Sequence, residues 1–208
     1  MIGALSFASC YVYSPTGTSL ICARSRLLRA LLKEGDARFM IQYVARVREE
    51  ARPPARLGGF FLAGDVLVPV PRSAPKTGGM WVAAELARAL VHEGLGVMTW
   101  PGLRRLYAVP KSATSAQGAR PSVASHYDSF RMEPPALHPA RIVLVDDVVT
   151  KGRTFLAAAS RVREAIPGAE IRAFAMLRTL GRVTRVRRLL DPCRGEIRWV
   201  GGDAQRDP

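Results

Sequence analysis

The residues best suited to chemistry lie in the run RIVLVDDVVTKGRT at positions 141–154. It contains apolar positions, the adjacent carboxylates Asp146 and Asp147, then Val148, Val149, Thr150, Lys151, Gly152, Arg153 and Thr154. The apolar residues at 142–145 predict a buried strand. At its exposed end two acceptor-only carboxylates can take hydrogen bonds from the neighbouring hydroxyls of a ribose. The loop that follows opens a predicted helix, whose free backbone N–H groups and positive end make a pocket for a phosphate monoester. Gly152 lets the backbone approach closely, and the threonine hydroxyls add donors. A sugar site beside a terminal phosphate site describes a ribose 5-phosphate. The sequence has no G-x-x-x-x-G-K-[ST] loop, and Gly94-Leu95-Gly96 lacks the third glycine of a dinucleotide fingerprint.

The elements that must carry these groups follow from apolar periodicity. An apolar run at 66–71 leads into the loop RSAPKTGG, then Met80, Ala84, Ala87 and Val91 share one helical face that Gly94 ends. The same order returns with a strand at 142–145, a loop at 146–152, and a helix whose Phe155, Ala159, Val162 and Ile166 share a face before Pro167 and Gly168. A further buried strand is expected at 171–177. Strands alternating with helices predict an α/β fold: a mainly parallel sheet flanked by helices, with ligands at the carboxyl ends of the strands.

Upstream, Phe39, Met40, Tyr43, Val44 and Val47 recur at helical spacing behind Asp36, a candidate N-cap. The Pro- and Gly-rich stretch at 51–60 reads as a connector. The expected organisation is therefore a mostly helical N-terminal subdomain or hood at 1–60, a core at 61–180, and a basic C-terminal extension at 181–208 that frays after Gly201. Residues 100–130, with PKSATSAQGARPS, are too polar and too rich in Gly, Ser and Pro to be regular, and read as a mobile loop.

The segment 141–154 resembles the ribose-phosphate signature of type I phosphoribosyltransferases, and the chain from about 65 to 179 is similar to their ComF-like, amidophosphoribosyltransferase-related branch. The resemblance implies a Rossmann-like phosphoribosyltransferase core that binds 5-phosphoribosyl-1-pyrophosphate (PRPP) through residues 146–154. It implies a pyrophosphate loop at VLVPVPRS, with Pro71, Arg72 and Ser73 near the pyrophosphate and often a cis peptide there. A mobile loop would supply a basic residue to the leaving group; Lys111 and Arg120 are the candidates, with Arg104 and Arg105 behind them. Asp146 and Asp147 would orient the ribose, and Mg²⁺ would be held mainly by the substrate, with no dedicated protein metal site. The implied activity is transfer of the phosphoribosyl group to a nitrogen nucleophile with release of pyrophosphate. The resemblance also admits a regulatory protein that binds PRPP or a nucleotide without catalysis, and an accessory factor in DNA uptake. The chain departs from ComF-like proteins in lacking a Cys-rich zinc ribbon and in carrying PKTGGMW after the first loop. Thr150 stands where purine-salvage members place a carboxylate, which argues against a base activated in that way.

Bulk properties set the remaining bounds. The 208 residues suffice for one α/β domain, and 48% hydrophobic with 23% charged residues argues for a folded globular chain. The formal charge of +14, from 31 Lys and Arg against 17 Asp and Glu, favours phosphorylated or polyanionic partners. Arg182, Arg185, Arg187, Arg188, Arg194 and Arg198 could form a surface for nucleic acid, or the solvated side of a helix that turns Val183, Val186, Leu189 and Leu190 inward. Cys10, Cys22 and Cys193 form no C-x-x-C pair, and neither Cys10 nor Cys22 has the context of a glutamine hydrolase. No signal-peptide pattern or membrane-spanning run is present, so an unprocessed cytoplasmic protein is expected. Of the three histidines, His126 lies nearest the expected loop and His92 and His138 lie away from both ligand loops. A homodimer is compatible with this fold.

Overall fold

The computed structural model describes residues 1–75, 78–110, 121–133, 135–136, 139–181 and 186–208, with the side chain of Ala37 excepted. A seven-stranded sheet runs in the order β3 (Met98–Thr99), β2 (Val66–Pro69), β6 (Arg141–Val149), β7 (Glu170–Thr179), β1 (Ala4–Tyr13), β8 (Leu190–Val200), β9 (Asp203–Asp207). From β3 to β1 every neighbouring pair is parallel, while β8 and β9 pair antiparallel. A separate two-stranded ribbon joins β4 (Leu103–Arg105) to β5 (Phe130–Met132).

Helices cover both faces. α1 (Leu20–Glu34), α2 (Ala37–Ala51) and α3 (Val82–His92) share one apolar cluster with Val143, Val145 and Phe174. α4 (Val123–Ser129) and α5 (Arg153–Ala165) share another with Ile142, Leu144 and Ala173. The alternation of Ile142, Val143, Leu144 and Val145 between clusters is the two-residue period of a strand buried on both sides. The α/β class and the mainly parallel sheet flanked by helices are therefore as expected.

The helix starts follow local chemistry. Asp36 Oδ1 accepts from the backbone N–H of Arg38 at 2.9 Å and of Phe39 at 3.2 Å, so it caps α2 as its position predicts. Phe155, Ala159 and Val162 are buried along α5, and Ile166 is buried at its C-cap, as their spacing requires.

Three expectations need correction. Residues 1–60 are not a mostly helical subdomain set apart from the core: β1 lies inside the sheet between β7 and β8. A run buried on both faces carries no alternation, so its periodicity gives no strand signal. The C-terminal stretch is not an extension that frays or turns a helical face inward. Beyond residues 182–185, which lie outside the described residues, Leu190 opens β8, and residues 203–207 form β9. Residues 100–130 are not irregular throughout, since they hold β4 and α4; residues 111–120 lie outside the described set. Smaller differences are that β6 continues through Asp146 to Val149, in place of the expected loop, and that Met80 precedes α3 and is exposed.

Connections fix where a ligand can enter. β2 leads through α3 to β3 on one side, whereas β6 leads through α5 to β7 on the other, with the two helices on opposite faces. The point where the winding reverses lies between β2 and β6, and in open α/β sheets the crevice at that point receives ligands. Among the described residues, no helix is long and apolar enough to cross a membrane.

Candidate functional site

Both ligand loops foreseen in the sequence leave the carboxyl ends of the two strands that flank this reversal. Val70 N–H donates to Val145 O at 2.8 Å, which ties the start of the 70–75 loop to the strand bearing the carboxylates. Asp146 and Asp147 sit partly buried in the carboxyl-terminal half of β6. Burial, and then the charge of Asp147 beside it, hold the Asp146 carboxyl well above the usual carboxylate range, although its Oδ1 accepts from Asp147 N–H at 2.9 Å.

Gly152 forms the cap of α5 at φ 89°, in the left-handed region, and no side chain caps this helix. A Cβ on Gly152 would lie 2.6 Å from Ile197 of β8. Glycine is needed here for conformation and for the close seating of the loop on β8.

The basic residues of the loop have a partner that its sequence did not reveal. Arg153 forms a two-pronged pair with Asp203 of β9, Nε to Oδ1 at 2.5 Å and Nη2 to Oδ2 at 2.7 Å, while Lys151 Nζ reaches Oδ2 at 3.2 Å. Arg153 Nη1 also donates to Pro121 O at 3.2 Å. The hydrogen bonds from Arg153 hold the Asp203 carboxyl far below its usual range, against its partial burial. A cleft of about 420 Å³ opens between Thr150 and Lys151 on the loop and Asp203, Gln205 and Arg206 on the hairpin. No sequence signal marks Asp203, because its partners lie about fifty positions away.

Asp203→Asn is expected to cost about 1 kcal/mol of stability at neutral pH, the worth of a half-exposed pair of good geometry. A carboxyl depressed by folding contributes fully above its unfolded pKa, about 4, and loses that contribution as pH falls further. Urea midpoints of native and variant chains should therefore differ at pH 7 and converge below about pH 4; a gap independent of pH would contradict the assignment.

On the β2 side, Pro71, Arg72 and Ser73 are half-buried at the mouth of the crevice. The Arg72 guanidinium turns back along its own loop, Nη1 donating to Gly78 O at 3.0 Å. Among the described residues cis peptides occur at Pro53-Pro54 and Asp207-Pro208, so the cis bond implied for 71–73 is not found there.

The four basic residues expected on a mobile loop separate. Lys111 and Arg120 lie outside the described residues. Arg104 is exposed and pairs with Glu133 at 3.2 Å. Arg105 is not on a loop: it ends β4 and is only 7% exposed. Its Nε donates to Arg72 O at 2.6 Å, its Nη1 to Ser129 Oγ at 2.5 Å, and its guanidinium lies 4.2 Å from the Phe130 ring centroid. Burial lowers its pKa to about 10, while the charge of Asp146 opposes that shift. A polar segment of sequence gives no sign that one arginine within it is a core residue.

Of the basic C-terminal residues, Arg194 donates to Gly58 O at 3.1 Å, Arg198 pairs with Glu196, and Arg187 and Arg188 are exposed; Arg182 and Arg185 lie outside the described residues. His92 is exposed on α3 beside Glu93, and His138 lies outside the described residues.

No protein-family model matches the chain, and no curated protein does. Among solved structures, the crystal structure of TT1426 from Thermus thermophilus aligns over 66% of this chain and 83% of that one, at 21% identity and a TM-score of 0.28. A likeness at that level carries no argument.

Proposed function

We propose that this chain is a phosphoribosyltransferase with a type I core, which binds PRPP together with Mg²⁺ and transfers the phosphoribosyl group to a nitrogen nucleophile, releasing pyrophosphate. The observation that carries the reading is the seat of Asp146 and Asp147 in the carboxyl-terminal half of β6, at the winding reversal, two strand residues and a short turn ahead of the Gly152-capped start of α5. The start of α5, with Thr150 and Thr154, suits the 5-phosphate; the carboxylates suit the ribose hydroxyls; and the loop at 71–73 suits the pyrophosphate.

The reaction breaks the bond from C1 to the pyrophosphate oxygen as the nitrogen lone pair forms a bond to C1. Positive charge builds on the ribose ring as the leaving group departs. Asp146 and Asp147 oppose that charge from partly buried positions in β6, where water screens it less than in bulk. The site's oxygen donors are hard ligands compatible with Mg²⁺, which when bound to the ligand's pyrophosphate would offset the negative charge that develops there. Arg105, fixed by Arg72 O, gives the pyrophosphate loop a buried positive charge beneath it.

Calorimetric titration of the native chain with PRPP and Mg²⁺ tests the reading, followed by assay of pyrophosphate release with ammonia, amines and nucleobases. One saturable site and release with one acceptor class are expected. Absence of binding by the folded chain would refute the reading. Binding with no release for any acceptor would move the protein to the non-catalytic class.

A further inference from the structure

A continuous polar path runs beneath the two ligand loops. Arg105 connects Arg72 O of the 70–75 loop to Ser129 Oγ of α4, and its Nη2 lies 3.5 Å from His126 Nδ1. His126, 4% exposed, in turn lies with Nε2 3.5 Å from Thr154 Oγ1, in the first turn of α5. The imidazole stacks on Phe130 with ring centroids 6.2 Å apart, and Ser129 Oγ donates to the His126 carbonyl at 2.6 Å, so α4 holds the ring's place.

The chemistry of these groups fixes the direction of each hydrogen bond. A guanidinium has only donors, so His126 Nδ1 must accept from Arg105. The ring proton then belongs to Nε2, the nitrogen that faces Thr154. A threonine hydroxyl that accepts from Nε2–H keeps its own proton free to donate elsewhere. With the opposite tautomer, the Thr154 proton would be spent on the imidazole. Burial, followed by the charges of Arg105 and Arg153, lowers the His126 pKa to about 4, which keeps the ring neutral near pH 7.

We propose that His126 is a positioning residue: Arg105 locks it as the Nε2–H tautomer, and it thereby presents the Thr154 hydroxyl as a hydrogen-bond donor to a phosphate at the start of α5. The inference rests on the phosphate reading of residues 150–154. It adds that one buried arginine sets both loops, by direct contact on the Arg72 side and through the imidazole on the Thr154 side. A phosphate bound at α5 is thus served by a residue of α4.

Two measurements on the full chain test this. Long-range proton-nitrogen NMR of the native protein should show His126 with the proton on Nε2 and an unprotonated Nδ1; the reverse pattern overturns the proposal without any ligand present. Titration with ribose 5-phosphate should show His126→Phe and Thr154→Val each weakening binding about ten- to a hundredfold, the worth of one hydrogen bond to a charged group. The double variant should be no weaker than Thr154→Val alone, because His126 acts only by positioning the Thr154 hydroxyl. His126→Gln, whose amide N–H can reach Thr154, should bind within about threefold of native, which also serves if the Phe variant fails to fold. Additive single effects, or a Thr154→Val loss with His126→Phe and His126→Gln both at native affinity, would sink the positioning role alone. A native chain that binds no ribose 5-phosphate would remove the phosphate reading and this role together.

Discussion

Replacing both Asp146 and Asp147 by Asn is expected to weaken binding of PRPP at least a hundredfold, on the order of 3 to 6 kcal/mol for two hydrogen bonds to charged acceptors. Asn keeps the shape and can still accept the backbone bond that Asp147 N–H makes to Asp146 Oδ1, so the fold should survive. Affinity for inorganic phosphate, which the proposed function assigns to residues 150–154, should change little; calorimetry with both ligands separates the two subsites. If PRPP bound equally well to the double variant, the carboxylates would have no part in holding ribose.

The single change Asp146→Asn should leave the chain more stable than native at neutral pH. Folding raises the Asp146 carboxyl above its unfolded pKa, through burial and the neighbouring charge of Asp147. A carboxyl shifted in that direction contributes most below its unfolded pKa and loses that contribution as pH rises through its folded value. Thermal midpoints should accordingly favour Asp146→Asn at pH 8 and converge with native near pH 3.

The largest loss of stability is expected at Asp65, which is completely buried just ahead of β2. Its Oδ1 accepts from Arg172 Nη2 of β7 at 2.6 Å, its Oδ2 from Leu62 N–H at 2.7 Å, and Arg172 also donates to Phe60 O. Asp65→Ala leaves the buried Arg172 with only the exposed Glu170 carboxylate, 3.1 Å from its Nε, a change that costs about 3 kcal/mol. Urea unfolding should show a much lower midpoint, and Asp65→Leu combined with Arg172→Met should recover much of it, because an apolar pair removes both desolvated charges. An unchanged midpoint in Asp65→Ala would mean that the pair holds nothing in place.

How much of the molecule is legible in the sequence depends on how local the cause is. The Asp36 cap and the α5 face each arise from neighbouring residues, and the chain reads directly at those points; the strand bearing Asp146 and Asp147 is legible too, but its continuation to Val149 is set by pairing with β7. β8 is hidden because LDPCRGEIRWV mixes Pro, Gly and charge with its apolar positions, and its strand form comes from pairing with β1. The Arg105 contacts and the clasp of Arg153 by Asp203 are tertiary: each side chain is an ordinary surface cation by type, and only the assembled core or hairpin decides otherwise.

The central seat of β1 has a kinetic side. Phe7 pairs with Ala173 and Gly195, so the strand made early in synthesis must wait for partners made late. Until then an apolar decapeptide has two open edges and no sheet to join, a state that invites chaperone capture and misassociation. Pairings this distant along the chain also impose a high loop-closure cost before they yield any contact, so refolding from denaturant should be slow for a protein of this size, with closure around β1 among its last steps.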